Sequence, residues 1–326
     1  MKRCVHAYDN IISLENLLDA WREFKRGKTK KLDVQEYERD LMHNLIALHV
    51  VLKNKTYSHG NYQHFVVNDP KRRDIHKACA RDRVLHHALY RILYPYFDKK
   101  FIHDSYSCRN NKGTHRALRR FEQFARIVSQ NYTKQCWILK CDIRKFFANI
   151  DHEILFIILK KYIEDEDIFW LLKEVITSFD SGTKGRGLPL GNLTSQLLVN
   201  IYMNEFDQYV KHVLKAQYYI RYADDFVFFS HVEINLSKIL QLTGVFLRES
   251  LHLELHPDKV FITTIYAGID FLGWVHFPRH RVLRTTTKKR MFRNVGEENL
   301  TSYQGLLKHG NSYKLTRKLS THMQNP

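Results

Sequence analysis

The spacing of hydrophobic residues predicts helices over the first part of the chain. Residues 11–25 and 34–52 place apolar side chains three or four positions apart, which is typical of helices with one buried face. The same spacing predicts a helix over residues 80–98 that ends near Pro95, and another over residues 113–130. In residues 34–52 the predicted buried stripe consists of Tyr37, Leu41, Leu45 and Leu48.

In the middle of the chain the pattern changes to strands that alternate with helices. Residues 136–143 ("CWILKCDI") have the composition of a strand, and Asp151 is placed to cap the helix that follows. A long helix over residues 193–213 leads to residues 218–230 ("YYIRYADDFVFFS"), which predict a β-hairpin with "ADD" at its tip. Residues 268–284 predict two more short strands, and two helices are expected to close the chain. This order predicts an α+β fold with a central, mostly antiparallel sheet.

The composition indicates a polyanionic partner. The chain has 326 residues, of which 52 are Lys or Arg and 34 are Asp or Glu, so its formal net charge is +18 at pH 7. The basic residues are spread through segments with apolar periodicity, which fits poorly with a disordered basic arm. Nucleic acid is therefore the first candidate, ahead of a membrane surface.

The cysteines and the N-terminal segment predict a cytoplasmic protein. The odd number of cysteines and the absence of a CxxC pair argue against a closed disulfide framework. The first ten residues have no apolar core of signal-peptide length, and no run reaches the ~18 apolar residues of a membrane span. The five cysteines are Cys4, Cys79, Cys108, Cys136 and Cys141.

Two carboxylates in apolar company are the strongest chemical signal in the sequence. Asp224 and Asp225 lie between two aromatic-rich runs, and Asp142 ends the strand predicted at residues 136–143. If the two segments are neighbours, carboxylates ~4 Å apart repel by about 4 kcal/mol at an effective dielectric of 20. Protonation of one acid or pairing with Arg221 would offset this repulsion, and an ordinary turn role for Asp is the simplest alternative. An all-oxygen cluster is also the ligand set that Mg²⁺ prefers, so the pattern favours a metal site.

Three motifs resemble the palm motifs of reverse transcriptases in their order and spacing. They are "CDIRKFFANIDH", "GLPLGNLTSQLLVNIYMNEFD" and "YADDFVFFS". Upstream, "DPKRRDIHKACARDRVLHHALYRIL" and "FIHDSYSCRNNKGTHRAL" resemble the fingers motifs, and "LHLELHPDK" and "FLGWVHFPRHRVLR" resemble the remaining palm motifs. The resemblance covers residues from about 60 to 284. It implies a right-hand polymerase with an N-terminal helical extension (1–60), fingers (61–135), a palm (136–284) and a short basic thumb (285–326).

Within that class the sequence is most similar to the reverse transcriptases of diversity-generating retroelements, found in bacteria, archaea and their phages. Retroviral and intron-encoded enzymes commonly have Pro-Gln-Gly followed by Ser-Pro in the loop and at the helix start. This chain has Pro189, Leu190 and Gly191, followed by Ser195 and Gln196. The "RDRVLHHAL" and "DSYSCRNNKGTHRAL" segments and the short end after the last motif also fit the retroelement family.

The resemblance implies a two-metal site for DNA synthesis. Asp142 and Asp224 match the metal ligands, with Asp225 beside them and the carbonyl of Ile143 as a further oxygen. The expected cofactor is a pair of Mg²⁺ ions, with Mn²⁺ as a substitute. Phe147 matches the aromatic residue that lies under the incoming sugar and excludes a 2′-hydroxyl, although ordinary core packing is the alternative.

Further positions are assigned to substrate and primer through the same resemblance. Lys71 and Arg73 match residues that hold the triphosphate, and Lys259 matches a lysine that donates a proton to the departing pyrophosphate. An exposed basic loop and an exposed lysine are the respective alternatives. Additional substrate contacts are assigned to Leu190, Gly191 and Gln196. The grip on the primer end is assigned to Phe271, Leu272, Gly273 and Trp274, for which a plain core strand is the alternative.

The implied function is RNA-directed DNA synthesis. The enzyme is expected to copy a retroelement template RNA into cDNA with errors concentrated at template adenines, and Leu190 is expected to contribute to these errors because leucine offers no hydrogen bond to the nascent pair. The implied partners are template RNA, primer or cDNA, deoxynucleotides and a small basic accessory oligomer. No RNase H or endonuclease block is expected after the thumb. The alternatives are a group II intron or retron reverse transcriptase, and an inert RNA-binding scaffold.

Overall fold

The computed structural model describes residues 7–68 and 72–324, and within these residues it contains thirteen α-helices and nine β-strands. The helices are α1 (Tyr8–Ile12), α2 (Leu14–Lys25), α3 (Leu32–Arg39), α4 (Leu41–Lys53), α5 (Ala80–Asp98), α6 (Thr114–Val128), α7 (His152–Lys160), α8 (Glu166–Thr177), α9 (Leu193–Gln208), α10 (Glu233–Leu251), α11 (Thr285–Asn294), α12 (Leu300–Leu307) and α13 (Tyr313–Gln324). The strands are β1 (Gln63–Val67), β2 (Arg73–Lys77), β3 (Trp137–Asp142), β4 (Tyr219–Tyr222), β5 (Asp225–Ser230), β6 (Phe261–Thr264), β7 (Ile269–Phe271), β8 (Trp274–His276) and β9 (Arg281–Leu283).

The chain divides into two compact units, each assembled from three separate segments. The first unit consists of Met1–His103, Ile143–Val213 and Val245–Glu254. The second unit consists of Asp104–Asp142, Leu214–Gly244 and Leu255–Pro326. The borders predicted for the extension, fingers, palm and thumb stay a prediction.

In the first unit the N-terminal segments are divided more finely than the periodicity predicts. The helix predicted over residues 11–25 is broken at Ser13, whose backbone leaves the helical region and whose side chain accepts a hydrogen bond from the Asn16 amide. This is an N-cap, and it starts α2 anew. The helix predicted over residues 34–52 is broken at Asp40 in the same unit. Of the predicted stripe, Leu45 and Leu48 are buried.

Helix α5 is buried and passes through a proline. The predicted range 80–98 is confirmed, and only the expected end near Pro95 is wrong, because the helix continues through Pro95 to Asp98. A proline in a helix removes one backbone hydrogen bond and crowds the preceding turn. Burial of Leu93, Tyr94 and Phe97 around it offsets this loss for the single turn that follows.

The second unit contains the predicted central sheet. Its strands lie in the order β4-β5-β3-β6, and every neighbouring pair is antiparallel. Helix α6 begins just after Gly113, as predicted, and buries its apolar side chains against this sheet. Phe121 and Phe124 contact Phe229 of β5 edge to face. These contacts confirm an α+β arrangement with an antiparallel sheet.

A second sheet of the same unit has three strands, where the sequence predicts two. Strands β7, β8 and β9 form an antiparallel meander. Three helices rather than two then follow. Trp274 of β8 is 1% exposed, and its ring lies so close to Gly310 that a Cβ on Gly310 would come within 2.0 Å of it. The segment between α12 and α13 therefore packs on β8 through backbone rather than side chain.

Several elements are absent from the sequence prediction. They are β1, β2, α8, α10 and β6. The helix predicted over residues 193–213 is α9 up to Gln208 and then a π-helical turn, Tyr209–Val213. Asp151 does cap α7 as predicted, accepting hydrogen bonds from the amides of Glu153 and Ile154. Among the residues described, none of the helices combines the length and the apolar character that crossing a bilayer requires.

Candidate active site

Three carboxylates lie at one end of the four-stranded sheet. Asp142 is the last residue of β3 and pairs directly with Asp225, the first residue of β5. Asp224 lies in the two-residue turn that connects β4 to β5. Directly opposite residues of an antiparallel pair have Cα atoms about 4.5 to 5.5 Å apart. Strand register therefore brings the predicted strand and the predicted hairpin together at their acidic ends.

The turn that carries Asp224 is conformationally strained and is held by hydrogen bonds from a buried arginine. Ala223 has a φ of 57°, a left-handed value that is unfavourable for a residue with a Cβ. The fully buried Arg221 donates from Nη1 to the Ala223 carbonyl oxygen at 3.1 Å. Its Nη2 donates to Ser105 Oγ, also at 3.1 Å. A buried guanidinium thus fixes the turn to the segment preceding α6.

The three acids have different electrostatic surroundings. Burial, followed by the charge of Asp142, raises the pKa of Asp224 to about 6. Burial also raises the pKa of Asp225, and the nearby ammonium of Lys140 opposes that effect. Lys140 Nζ lies 2.6 Å from Asp225 Oδ1, and Lys259 Nζ lies 2.8 Å from Asp142 Oδ1. The site therefore concentrates negative charge, which nearby cations stabilise.

Lys259 stands in the loop before β6, and its ion pair with Asp142 joins that loop to β3. The backbone supports the same contact, since the His256 amide donates to the Asp142 carbonyl at 2.8 Å. The Lys259 side chain is 40% exposed. Its assignment as a proton donor stays a prediction.

The predicted primer grip is the tight turn between β7 and β8. Leu272 and Gly273 both have positive φ, 52° and 86°, as the two central residues of a type I′ hairpin turn require. Phe271 and Trp274 flank the turn and are buried in the core of the second unit. Their side chains therefore have a packing role, and the grip on a primer stays a prediction.

In the first unit, the loop before α9 is hydrogen-bonded to β2. The His76 amide donates to the Leu190 carbonyl at 3.2 Å, and the Asn192 side-chain amide donates to the His76 carbonyl at 3.0 Å. Gly191 has a φ of 112°, and a Cβ there would lie 3.1 Å from Ile75 Cγ2. Glycine at position 191 thus allows the loop to lie against the strand.

Gln196 and Gly191 line a cavity of about 390 Å³ in the first unit. Its wall is cationic, with Lys28, Lys77 and Arg83. None of these three was predicted as a site residue. Arg83 is the third residue of the "RDRVLHHAL" motif, so the motif itself contained a signal for it.

The remaining predicted residues of the first unit have varied surroundings. Phe147 is half-buried in the 3-10 turn Phe146–Asn149, and its carbonyl accepts a hydrogen bond from the Leu188 amide at 2.9 Å. Ile143 is buried, and Arg73 is exposed at the start of β2. Lys71 lies outside the described residues. The substrate roles of all four stay predictions.

Comparison with known proteins decides the family. Residues 68–276, more than half of the chain, match the family model described as reverse transcriptase (RNA-dependent DNA polymerase). The chain belongs to the reverse transcriptase family. The family predicted from the motifs is thereby confirmed.

Its relatives among curated proteins include bacterial and intron-encoded sequences. The chain is 26% identical to protein YkfC of Escherichia coli K12 over 247 residues, which cover 64% of this chain and 63% of that protein. It is 25% identical to the group II intron-encoded protein LtrA of Lactococcus lactis over 294 residues, 68% of this chain and 47% of that protein. A putative COX1/OXI3 intron 2 protein of Saccharomyces cerevisiae is 21% identical over 77% of this chain and 37% of its own length. The chain thus spans less than two thirds of each of these relatives.

The carboxylates of this reverse transcriptase fit a divalent metal ion, the kind of cofactor that the family generally uses. The described residues contain no group of three His, Cys, Asp or Glu side chains arranged to hold an ion. Mg²⁺ takes one or two protein carboxylates when substrate phosphates and water complete its shell, so the pair Asp142 and Asp224 is sufficient. Burial and then the charge of Asp142 raise the pKa of Asp224, and a bound cation would stabilise the ionised form against both effects.

Sequence reasoning missed Lys140, although a signal was present. It stands two positions before Asp142 in a predicted strand, so its side chain lies on the same face of the sheet. A lysine within an apolar run that precedes a candidate site acid can be expected to pair with a neighbouring carboxylate.

Proposed function

We propose that this reverse transcriptase is an active RNA-directed DNA polymerase, with Asp142 and Asp224 as its metal-binding carboxylates. The observation that supports this most directly is the convergence of the two acids at one sheet end, where burial and then the charge of Asp142 raise the pKa of Asp224. An inert RNA-binding scaffold would have no use for such a destabilising arrangement. The basic composition, with a net charge of +18, supports nucleic acid as the substrate.

The reaction is attack of a primer 3′-hydroxyl on the α-phosphorus of a deoxynucleotide. Divalent ions, when bound, would activate that hydroxyl and neutralise charge on the phosphates. Asp142 and Asp224 would hold them, with the Ile143 carbonyl as a further oxygen donor and Asp225 beside them. The protein itself mainly positions and neutralises the reactants.

Other residues of the chain have separate roles in this proposal. Lys71 and Arg73 bind the triphosphate, and Lys259 protonates the departing pyrophosphate. Phe147 excludes a 2′-hydroxyl, which makes the product DNA. The turn at Leu272 and Gly273 supplies backbone for a contact with the primer end.

Primer extension on an RNA template tests the activity. Asp142→Asn and Asp224→Asn keep the shape of each side chain and remove its charge, so we expect each to lower the rate by at least about 10²-fold. Glu233→Gln, at the exposed start of α10 in the same unit, is the matched control and should extend the primer like the natural chain. Synthesis at the natural rate by a variant lacking both Asp142 and Asp224 carboxylates would contradict the proposal.

We further propose the narrower assignment to a diversity-generating retroelement. It is supported by Leu190 in place of glutamine and by the Ser195–Gln196 pair at the start of α9. The template is then the retroelement's own RNA, and a small basic accessory oligomer is a partner.

Leu190 provides the test of this assignment. A glutamine there could hydrogen-bond to the nascent pair, so Leu190→Gln should lower misincorporation opposite template adenine, measured by sequencing the cDNA. Leu190→Met keeps an apolar side chain of similar volume and should retain the natural error spectrum. An unchanged spectrum in Leu190→Gln would count against the role of this residue.

A group II intron enzyme is the second candidate, favoured by the similarity to LtrA. Such an enzyme has no reason to misincorporate selectively opposite adenine. Low errors opposite adenine in the natural chain, together with an intron RNA surrounding its coding sequence, would select this candidate. A variable gene nearby with a repeat matching the template would select the retroelement.

A further inference from the structure

Lys140 is a charged residue inside the sheet of the second unit. It is 8% exposed, and its neighbours Leu139 and Cys141 on β3 are fully buried. Lysine is almost never buried without a partner, because moving an ammonium out of water is costly. Its surroundings therefore have to supply an opposite charge.

A carboxylate and an aromatic ring lie near the Lys140 ammonium. Asp225 Oδ1 lies 2.6 Å from Nζ, and the centroid of the Phe271 ring lies 5.7 Å from it. Lys140 pairs with Val227 in the ladder, two positions from the Asp142–Asp225 pair and on the same face. The ammonium thus occupies the space next to Asp225 on the side of β7.

The two lysines of the site differ in how firmly they are held. The Lys259 side chain is 40% exposed, so it can leave Asp142 for water at little cost. The side chains of Lys140 and Asp225 are only 10% and 21% exposed. Separation of a buried pair leaves an uncompensated charge and is strongly unfavourable. Lys140 would therefore remain paired with Asp225 if a bound cation displaced Lys259 from Asp142.

We propose that Lys140 is a positioning residue that keeps Asp225 as its own counter-ion and out of the metal shell. Asp142 and Asp224 are then the carboxylates that ligate the ions, and Asp225 orders the start of β5 directly after them. This inference rests on the proposed polymerase function, and it excludes Asp225 from the metal ligands.

The test measures Mn²⁺ binding to the full chain by electron paramagnetic resonance, without nucleic acid, and primer extension in parallel. Lys140→Met keeps the length of the side chain and releases Asp225. We expect Mn²⁺ to bind about fivefold to tenfold more tightly, because a freed carboxylate joins the ligands, while extension slows about tenfold because the ion is misplaced.

Adding Asp225→Asn to Lys140→Met should return the Mn²⁺ affinity and the extension rate toward those of the natural chain. The double variant removes both charges of the ion pair, so the net charge is unchanged and no free carboxylate is left at position 225. Lys140→Arg preserves the ion pair and should leave both nearly unchanged. Lys238→Met, on the exposed face of α10, is the control for loss of one positive charge.

A merely structural lysine gives a different result, in which Lys140→Met lowers the melting temperature and activity without tightening Mn²⁺ binding. That result would overturn the proposal, as would a double variant that binds Mn²⁺ as weakly as Asp224→Asn. If Lys140→Met does not fold by circular dichroism, the double variant decides. Mn²⁺ binding is measured without a primer. A natural chain that binds Mn²⁺ but does not extend a primer would therefore contradict the proposed polymerase function without deciding this inference.

Discussion

At the scale of single residues, Asp224 combines the strain and the charge of the site. Its turn contains Ala223 in a left-handed conformation, and its own carboxylate is buried beside Asp142. Both features oppose folding, and the buried Arg221 beneath the turn offsets the first of them. Residues that are strained and electrostatically unfavourable are typical of functional sites.

The raised pKa of Asp224 predicts a pH-dependent effect of Asp224→Asn on stability. Because burial and Asp142 raise the pKa in the folded protein from 3.8 to about 6, the folded state binds the proton more tightly than the unfolded state. The contribution of Asp224 to the stability of the folded chain is therefore greatest below about pH 4. This contribution is lost as pH rises through about 6. In the presence of a chelator, Asp224→Asn should be more stable by up to about 3 kcal/mol at pH 8, with a smaller gain at pH 5.

Urea unfolding at both pH values measures this difference. Glu233→Gln should show the same stability as the natural chain at each pH. An Asp224→Asn gain that is equal at pH 5 and pH 8 would mean that ionisation of Asp224 is not its cause.

At the scale of elements, apolar periodicity predicts the buried helices with the exception of α8, whose apolar face is buried, and it fails where an element exposes apolar side chains. Every residue of β1 is exposed, so the strand shows no alternation of buried and exposed positions. Helix α10 exposes Ile234, Leu242 and Val245, which blurs its amphipathic pattern. The breaks at Ser13 and Asp40 arise from local backbone geometry that hydrophobic spacing does not report.

The packing of α12 and α13 on β8 predicts that Gly310→Ala is destabilising. An added Cβ would lie 2.0 Å from one carbon of the Trp274 ring and within 2.8 Å of two others, and Trp274 is enclosed in the core. Overpacking of this kind costs about 1 to 3 kcal/mol, measured by chemical denaturation.

Gly305→Ala provides the matched control in the same unit. Apart from its chain neighbours and the backbone of its own helix, no atom of the described residues lies within 4 Å of a Cβ at position 305. Because this position is inside α12, the alanine should be neutral or stabilising by up to about 1 kcal/mol. Equal free energies of unfolding for the two variants would show that the contact with Trp274 is not tight.

At the scale of the whole molecule, the candidate acids were easier to predict from the sequence than the basic residues that hold them in place. Asp142 and Asp224 could be predicted as a pair because carboxylates next to apolar strands demand an explanation, and the motif order predicted the family that the comparison confirms. Lys140 and Arg221 gain their roles from partners such as Asp225 and Ser105 that are far away in the chain. A local pattern can mark Lys140 as a candidate but cannot name its partner. The register of β3 with β5 brings Lys140 near Asp225, and a β-bridge places Arg221 beside Ser105.

The alternation of segments between the two units governs how the gene can be divided. Each unit needs three stretches of chain, and the chain passes from one unit to the other between Asp142 and Ile143 and again after Val213. A fragment that stops at residue 213 lacks β4, β5 and β6, which leaves β3 without its sheet neighbours. No truncation removes one unit and leaves the other whole, and a split protein would have to bring its halves together before either unit is complete.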